Sequence, residues 1–157
     1  MVEIVMAGLL MGILATGAMD LWALGLNRFA RQPLPNWAMP GRWAAHLTRG
    51  TVFHDAIAEA EHVPGELQIG WAFHYAVGII YGIALAAIMG PGWLAQPTFM
   101  PAFIFSILMV GFGWFLLQPG MGLGWAASKT PNPWKVRAMN LAAHTVFALG
   151  LWVGAFV

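Results

Sequence analysis

Three ionisable side chains interrupt long apolar stretches of the sequence: Asp20, His74 and His144. An ionised carboxylate inside a bilayer costs about 2.5 to 3.5 kcal/mol on insertion scales, so Asp20 needs a partner or a bound cation. Two imidazoles and one carboxylate form the ligand set of many non-haem iron sites, and they also suit zinc or copper. Two histidines could instead ligate a b-type haem, and a histidine beside a carboxylate could bind a small ligand or relay protons. These three residues are the ligand or metal candidates, and all four kinds of site remain open.

Two polar residues lie one helical turn from these candidates. Thr16 precedes Asp20 by four residues and Asn140 precedes His144 by four, so each pair shares a helix face. Glycines continue this spacing in the first apolar stretch, and small residues so spaced let membrane helices approach closely. Thr16 and Asn140 are therefore secondary candidates for the same site. The same geometry would also serve purely structural hydrogen bonding between helices.

The composition places these residues in a membrane protein. Of the 157 residues, 60% are hydrophobic and 8% are charged, against about 25% charged in soluble proteins. Four continuous apolar stretches, about 4–26, 67–89, 98–117 and 136–156, are long enough to cross a bilayer as helices. We predict an all-α membrane protein in which residues 1–157 form a single domain, with four transmembrane helices in an antiparallel bundle.

The basic residues predict how the chain is oriented. All seven Lys and Arg residues fall in the two longer connections, 28–65 and 118–134, or at the start of the fourth stretch. The positive-inside rule makes these loops cytoplasmic, so both chain termini are predicted to face outward. The chain is predicted to be a multi-pass protein in contact with the lipid bilayer.

With this topology, helix rise places the three candidates at one depth. Asp20, His74 and His144 lie seven to nine residues inside the loop-side boundary, which is roughly 10 to 14 Å at the rise of an α-helix. Composition alone does not require such agreement. We therefore predict a buried Asp/His site in the cytoplasmic half of the bundle.

The longer loop contains a segment typical of a short amphipathic helix at the membrane interface. In NWAMPGRWAAHLTRG, Pro40 lies near the helix start, and Arg42, His46 and Arg49 share a face that is predicted to meet lipid headgroups. His46 is a secondary candidate because it could act as an additional ligand or a lid residue. The following HDAIAEAEH predicts a solvated helix surface, since its single Glu-x-x-His pair lacks the second pair that di-metal bundles need.

Several function classes find little support in the sequence. The chain has no cysteine, which excludes disulfides, thiolate nucleophiles and cysteine-ligated metals. The glycines of QPGMGLGWAASKTPNP follow no strand and precede no Gly-Lys-Ser/Thr element, so a short turn or helix at the interface is expected rather than nucleotide binding. The net charge of +1 and the lack of a reading motif argue against nucleic-acid binding. No nucleophile-and-base motif appears, which favours a non-enzymatic role without deciding it.

Unusual motifs recur along nearly the whole chain: ATGAMDLWA, GRWAAHLTRG, GWAFHYAVG, QPGMGLGWAASKTPNP and the last stretch around His144. They resemble domain of unknown function family 2938, a family of small bacterial inner-membrane proteins. The resemblance implies a multi-pass protein of the bacterial inner (plasma) membrane, with both termini periplasmic, and it carries no biochemical activity with it. It also implies that Asp20, His46, His54, His74 and His144 occupy motif positions, which adds His54 to the secondary candidates.

The favoured function is a site inside an inner-membrane protein that binds a metal ion, haem or small ligand, or relays protons. One alternative is an accessory structural subunit of a larger membrane complex, with the polar residues acting as helix-packing glue. Another is a small transporter, which would need a homo-oligomer to enclose a pathway. The cofactor stays unknown, with a metal ion and a b-type haem as the two candidates.

Overall fold

The computed structural model describes residues 1–157 and consists of helices joined by loops, with no β-strand. The α-helices are α1 Val2–Ala30, α2 Ala38–Leu47, α3 Glu66–Ala95, α4 Phe99–Phe112, α5 Gln118–Gly120 and α6 Pro133–Gly154. A π-helix, Gly113–Leu117, joins α4 to α5, and a 3₁₀ turn, Trp125–Ala127, precedes α6. The all-α prediction is confirmed.

Four helical segments are long and apolar enough to cross a membrane. They are α1, α3, the continuous stretch Phe99–Gly120 and α6, with mean hydropathies between 1.3 and 2.1. Along α4, Met100, Ile104 and Leu108 are spaced four apart and are 62%, 56% and 66% exposed. An apolar ridge exposed in this way is what a helix presents to lipid. The chain is a multi-pass membrane protein, and its four segments correspond to the four stretches predicted from hydropathy.

The chain divides into two compact units, and the first comprises Met1–Pro35, Tyr75–Leu108 and Ala142–Val157. In this unit α1 and α3 run antiparallel with their backbones almost in contact. A Cβ atom added to Gly12 would lie 2.5 Å from the carbonyl oxygen of Gly78, closer than any real side chain approaches. The four-residue glycine spacing in the sequence therefore serves a close helix crossing.

Apolar side chains fill the space between the helices of the first unit. The members that are at most 3% exposed are Met11, Ala15, Leu85, Ala86, Ala102, Phe147 and Leu151. Edge-to-face contacts join Tyr81 of α3 to Phe105 and Phe147, with ring centroids 6.2 and 6.3 Å apart. These contacts hold α3, α4 and α6 together by shape as well as by apolar area.

The second unit comprises Asn36–His74 and Met109–Leu141. Its buried apolar centre consists of Trp43, Ile57 and Met121, and Trp43 Nε1 donates a hydrogen bond to the carbonyl oxygen of Val52 at 2.8 Å. Trp43 lies on α2, so the short helix predicted in the longer loop is present. Its aromatic residue packs into the unit, where it also meets Phe73 at a centroid distance of 5.9 Å.

The segment HDAIAEAEH does not form the predicted helix surface, and residues 54–62 contain turns and bends but no helix. Its peptide groups are engaged by other parts of the second unit. The N–H of His54 donates to the carbonyl oxygen of Gly120 at 2.9 Å, and that of Ile57 donates to Met121 at 3.1 Å. Because these groups bond to a distant loop, they cannot form the ladder that a helix requires.

Two of the long helical segments are irregular. Gly90 has a φ of 71° inside α3, a left-handed conformation that glycine adopts at little cost, and Pro91 follows it. The helix therefore turns at this point before it ends at Ala95. In the third long segment, the π-helix Gly113–Leu117 lies directly before Gln118, and such helical irregularities are frequent at functional sites.

Candidate functional site

Asp20 has a specific partner within the first unit. The hydroxyl of Tyr75 on α3 donates a hydrogen bond to Oδ2 of Asp20 on α1 at 2.9 Å. Both side chains are half-buried, and both lie well inside helices that can cross the membrane. A hydrogen bond to a charged group contributes about 1.5 to 3 kcal/mol, which is comparable with the cost of inserting the carboxylate. Tyr75 therefore offsets much of that cost.

Thr16 belongs to the crossing of α1 and α3. Its side chain is fully buried, and its hydroxyl donates to the carbonyl oxygen of Gly12 at 2.7 Å. The same hydroxyl lies against Gly78 of α3. Because its single O–H is used within α1, Thr16 contributes packing to the region around Asp20 rather than a free donor.

His144 is bound to α4 by two reciprocal hydrogen bonds. Ser106 Oγ donates to the carbonyl oxygen of His144 at 2.6 Å, and Nδ1 of His144 donates to the carbonyl oxygen of Ser106 at 2.8 Å. A carbonyl oxygen only accepts, so the neutral imidazole carries its proton on Nδ1 and has Nε2 as its acceptor. This arrangement clamps α6 to α4. It is also the arrangement that orients a histidine whose Nε2 takes a proton or a metal.

His74 lies in the second unit among aromatic side chains. Its ring stacks on Trp37 with centroids 3.9 Å apart and an interplanar angle of 25°. A second indole, Trp71, meets the ring edge-on at 6.1 Å. The stacking partner comes from just before α2, so the longer loop contributes to the surroundings of this histidine.

The three main candidates therefore have different surroundings. Asp20 and His144 belong to the first unit, and His74 belongs to the second. No group of three or more His, Asp or Glu side chains lies close enough together to hold a metal ion. A metal centre on these three residues stays a prediction, with no preformed cluster behind it.

Asn140 is the acceptor of a small polar cluster in the second unit. Its Oδ1 accepts hydrogen bonds from Trp114 Nε1 and from Gln118 Nε2, each at 3.0 Å. The other amide atom of Gln118, Oε1, is buried without a hydrogen-bond partner. A buried acceptor in this state costs free energy that a donor would recover. The cluster thus joins α6 to the π-helix and α5 and is not fully satisfied.

His46 and His54 form a stacked pair in the second unit. His54 Nδ1 donates to the carbonyl oxygen of Gly120 at 2.9 Å, and His54 Nε2 lies 2.8 Å from Nδ1 of His46. With its Nδ1 a donor, neutral His54 accepts through Nε2, so Nδ1 of His46 is the donor between the rings. Neutral His46 then has Nε2 as an acceptor. The structure thus brings together two secondary candidates that the sequence analysis treated separately.

Arg42 is buried, which corrects the expectation that it faces lipid headgroups. It is 4% exposed, and its guanidinium donates to both carboxylate oxygens of Glu66 at 2.8 Å. Nη1 also lies 2.8 to 3.2 Å from the carbonyl oxygens of Ile57, Ala58 and Ala60. The hydrogen bond with Glu66 raises the pKa of Arg42 above its ordinary value, against the opposing effect of burial. The sequence pattern identified Arg42 as a charged residue on a helix. It could not show which carbonyl oxygens of the loop accept hydrogen bonds from that residue.

Sequence reasoning also missed the partners Tyr75 and Ser106. Tyr75 is one of only two tyrosines in the chain and follows His74 directly. Ser106 is the single hydroxyl residue in the apolar stretch Phe99–Gly120. A lone polar group in a span needs a partner, so both positions carried a usable signal. The sequence does not show which helix faces meet, and that information is needed to identify each partner.

Comparisons with known proteins identify one family. A family model described as "Protein of unknown function (DUF2938)" matches residues 9–157, nearly the whole chain. No curated protein matches the chain, and no solved structure matches it. The match agrees with the motifs around Asp20, His46, His74 and His144, all of which lie within the matched residues.

Proposed function

The chain belongs to the family described as Protein of unknown function (DUF2938), and from that premise we propose that it is a bacterial inner-membrane protein that relays protons. In this proposal the loops that carry the basic residues are cytoplasmic and both termini are periplasmic. The relay is built on Asp20 and Tyr75. His74 and His144 are the further proton acceptors in the spanning helices.

The observation that supports the proposal is the hydrogen bond from Tyr75 to Asp20. A phenol hydroxyl both donates and accepts hydrogen bonds. When a new proton binds Oη of Tyr75, the original hydroxyl proton can pass to Oδ2 of Asp20. One proton has then moved, and the phenol is neutral as before. Asp20 holds the proton until the next acceptor takes it.

Histidines supply further acceptors in two of the spanning helices, α3 and α6. His74 precedes Tyr75 on α3, and neutral His144 accepts through Nε2 because its Nδ1 donates to Ser106. Carboxylates and histidines are the groups on which proton pumps and transporters rely inside membranes. Binding of a metal or a haem would use the same nitrogens. The relay is preferred because it needs no group of three converging ligands.

A structural role is the second candidate, and the reciprocal bonds between Ser106 and His144 favour it. Such bonds between membrane helices contribute about 0.6 to 2 kcal/mol of packing free energy. In that function the chain would be an accessory subunit of a larger complex. An oligomeric transporter is the third candidate, in which the same relay would be coupled to a substrate.

Proton flux into liposomes tests the proposal. The full chain is reconstituted with a pH-sensitive dye inside, and a potassium diffusion potential drives protons across the membrane. We expect the flux to disappear with Asp20→Asn and to fall about tenfold with Tyr75→Phe, which removes a hydrogen bond to a charged group. Tyr81→Phe is the matched control, because this second tyrosine of α3 makes edge-to-face ring contacts and no hydroxyl hydrogen bond.

The same preparation separates the alternatives. Flux equal to that of empty liposomes, or flux that Asp20→Asn leaves unchanged, would exclude the relay. Stoichiometric metal or a haem absorption band in the purified protein would replace the relay with a cofactor site. Consistent co-purification with one membrane complex, together with absence of flux, would establish the structural role.

A further inference from the structure

An open cavity of about 280 Å³ lies beside the histidine pair of the second unit. It is lined only by polar and charged residues: His46, Arg49, Thr51, His54 and Glu61. None of them belongs to the relay. The residues that line it carry a guanidinium, a carboxylate, a hydroxyl and two imidazoles.

His46 is the buried residue of the cavity lining, and its ring carries a hydrogen-bond acceptor. His46 is 8% exposed, and its Nδ1 donates to His54, which is itself held by the carbonyl oxygen of Gly120. The chain of bonds sets the tautomer of both neutral rings and leaves Nε2 of His46 as an acceptor. His46 therefore offers a lone pair in a fixed orientation.

The remaining groups divide into two kinds. Glu61 is a second acceptor and carries a negative charge, whereas Arg49 and Thr51 supply donors, one of them positively charged. A simple cation would be repelled by Arg49, and no set of three metal ligands is present. A simple anion would leave Glu61 and the His46 lone pair unmatched. A zwitterion matches both kinds of group, because its N–H donors suit the acceptors of the cavity and its oxyanion suits the donors.

We propose that the cavity binds a phosphoethanolamine group. The primary ammonium donates to Nε2 of His46 and to the carboxylate of Glu61, and the phosphate accepts from Arg49 and Thr51. Large apolar side chains next to the cavity residues are exposed, Phe53 by 66% and Leu47 by 40%. Exposed apolar residues beside basic ones are typical of a surface that meets lipid headgroups. The group therefore comes either from a phosphatidylethanolamine headgroup or from a free phosphoethanolamine ester.

Nitrogen-15 spectra of histidine-labelled full-length protein test the proposal. We expect nanodiscs of phosphatidylcholine to cause little shift of the Nε2 resonance of His46, because the quaternary ammonium of this lipid has no N–H to donate. Addition of phosphatidylethanolamine to the nanodisc should shift the Nε2 resonance of His46. Soluble glycerophosphoethanolamine, added to phosphatidylcholine nanodiscs, shows whether the free ester also binds. A shift in either arm supports the site, and comparison of the two identifies the source.

Two variants and their controls localise the interaction. Glu61→Gln should weaken binding about tenfold, the effect of losing one charge-assisted hydrogen bond, whereas Glu59→Gln, an exposed carboxylate that does not line the cavity, should not. Arg49→Ala should weaken it similarly, with the exposed Arg28→Ala as control. Equal shifts with phosphocholine would overturn the proposal, as would stronger binding of glycine or inorganic phosphate, or an Arg49→Ala variant that binds normally.

Discussion

Single polar residues in this protein are paired with groups distant in the sequence. Tyr75 binds Asp20, and Ser106 binds His144, each across two helices of the first unit. Arg42 has the largest set of partners and is buried with Glu66, which is 16% exposed in its side chain. Removing one member of a buried ion pair leaves an uncompensated charge, which costs more than the pair itself contributes. The Arg42–Glu66 pair is therefore expected to be a sensitive point of the second unit.

We predict that Arg42→Met lowers the free energy of unfolding by about 3 kcal/mol, because the carboxylate of Glu66 and three loop carbonyls lose their donor. Chemical denaturation in detergent, followed by circular dichroism, measures the change. The double variant Arg42→Met with Glu66→Gln should recover part of the loss, since no unpaired charge remains. Exposed Arg28→Met is the control, and a loss no larger than that of the control would contradict the prediction.

At the scale of helices, the first unit depends on the close crossing of α1 and α3. The glycines there are not interchangeable with other glycines of α1. A Cβ at Gly12 would meet the backbone of Gly78 and Ile79 at 2.5 to 2.6 Å, whereas a Cβ at Gly17 would meet nothing within 4 Å. The same substitution in one helix should therefore have opposite effects at the two positions.

Gly12→Ala should destabilise the protein by about 1 to 3 kcal/mol, the usual cost of overpacking a close contact. Gly17→Ala should instead stabilise it by about 0.5 to 1 kcal/mol, because alanine loses less backbone entropy in a helix. Apparent melting temperatures of the two variants in the same detergent provide the comparison. If both variants shift in the same direction, α1 and α3 do not cross at Gly12 in the folded protein.

For the molecule as a whole, the distribution of charge predicts the orientation in the membrane. If all four segments cross the membrane, each crossing reverses the direction of the chain. The two basic loops then lie on the same side. The natural absence of cysteine makes this easy to examine, because a single introduced thiol is unique. Glu3 and Lys129 are exposed positions on the two expected sides.

We expect Glu3→Cys to react with a membrane-impermeant maleimide in intact spheroplasts, and Lys129→Cys to react only after lysis. Labelling is read by a mass shift on a gel, with the unmodified cysteine-free chain as the blank. The reverse pattern would place the basic loops outside and exclude the proposed orientation. Labelling of both positions before lysis would show that the four segments do not all cross.

The sequence by itself determined the class of protein, the four long helices and the short helix before the second span. These follow from hydropathy, which sums local contributions and needs no knowledge of partners. It also singled out Asp20, His74 and His144, because an ionisable residue in an apolar stretch is conspicuous wherever the chain folds. Two predictions were wrong: the helix surface over HDAIAEAEH and the exposure of Arg42 to lipid headgroups. Each of these features depends on which loop supplies hydrogen-bond partners.

Only the tertiary structure decided the pairings. Tyr75 with Asp20, Ser106 with His144 and His46 with His54 each join segments at least eight residues apart in sequence. Such hydrogen bonds depend on the crossing of helix faces and the path of a loop, and a residue's type restricts its partner without naming it. The tautomer of His46 is the clearest example. Its acceptor nitrogen follows from a hydrogen bond that His54 makes to the carbonyl oxygen of Gly120, the last residue of α5.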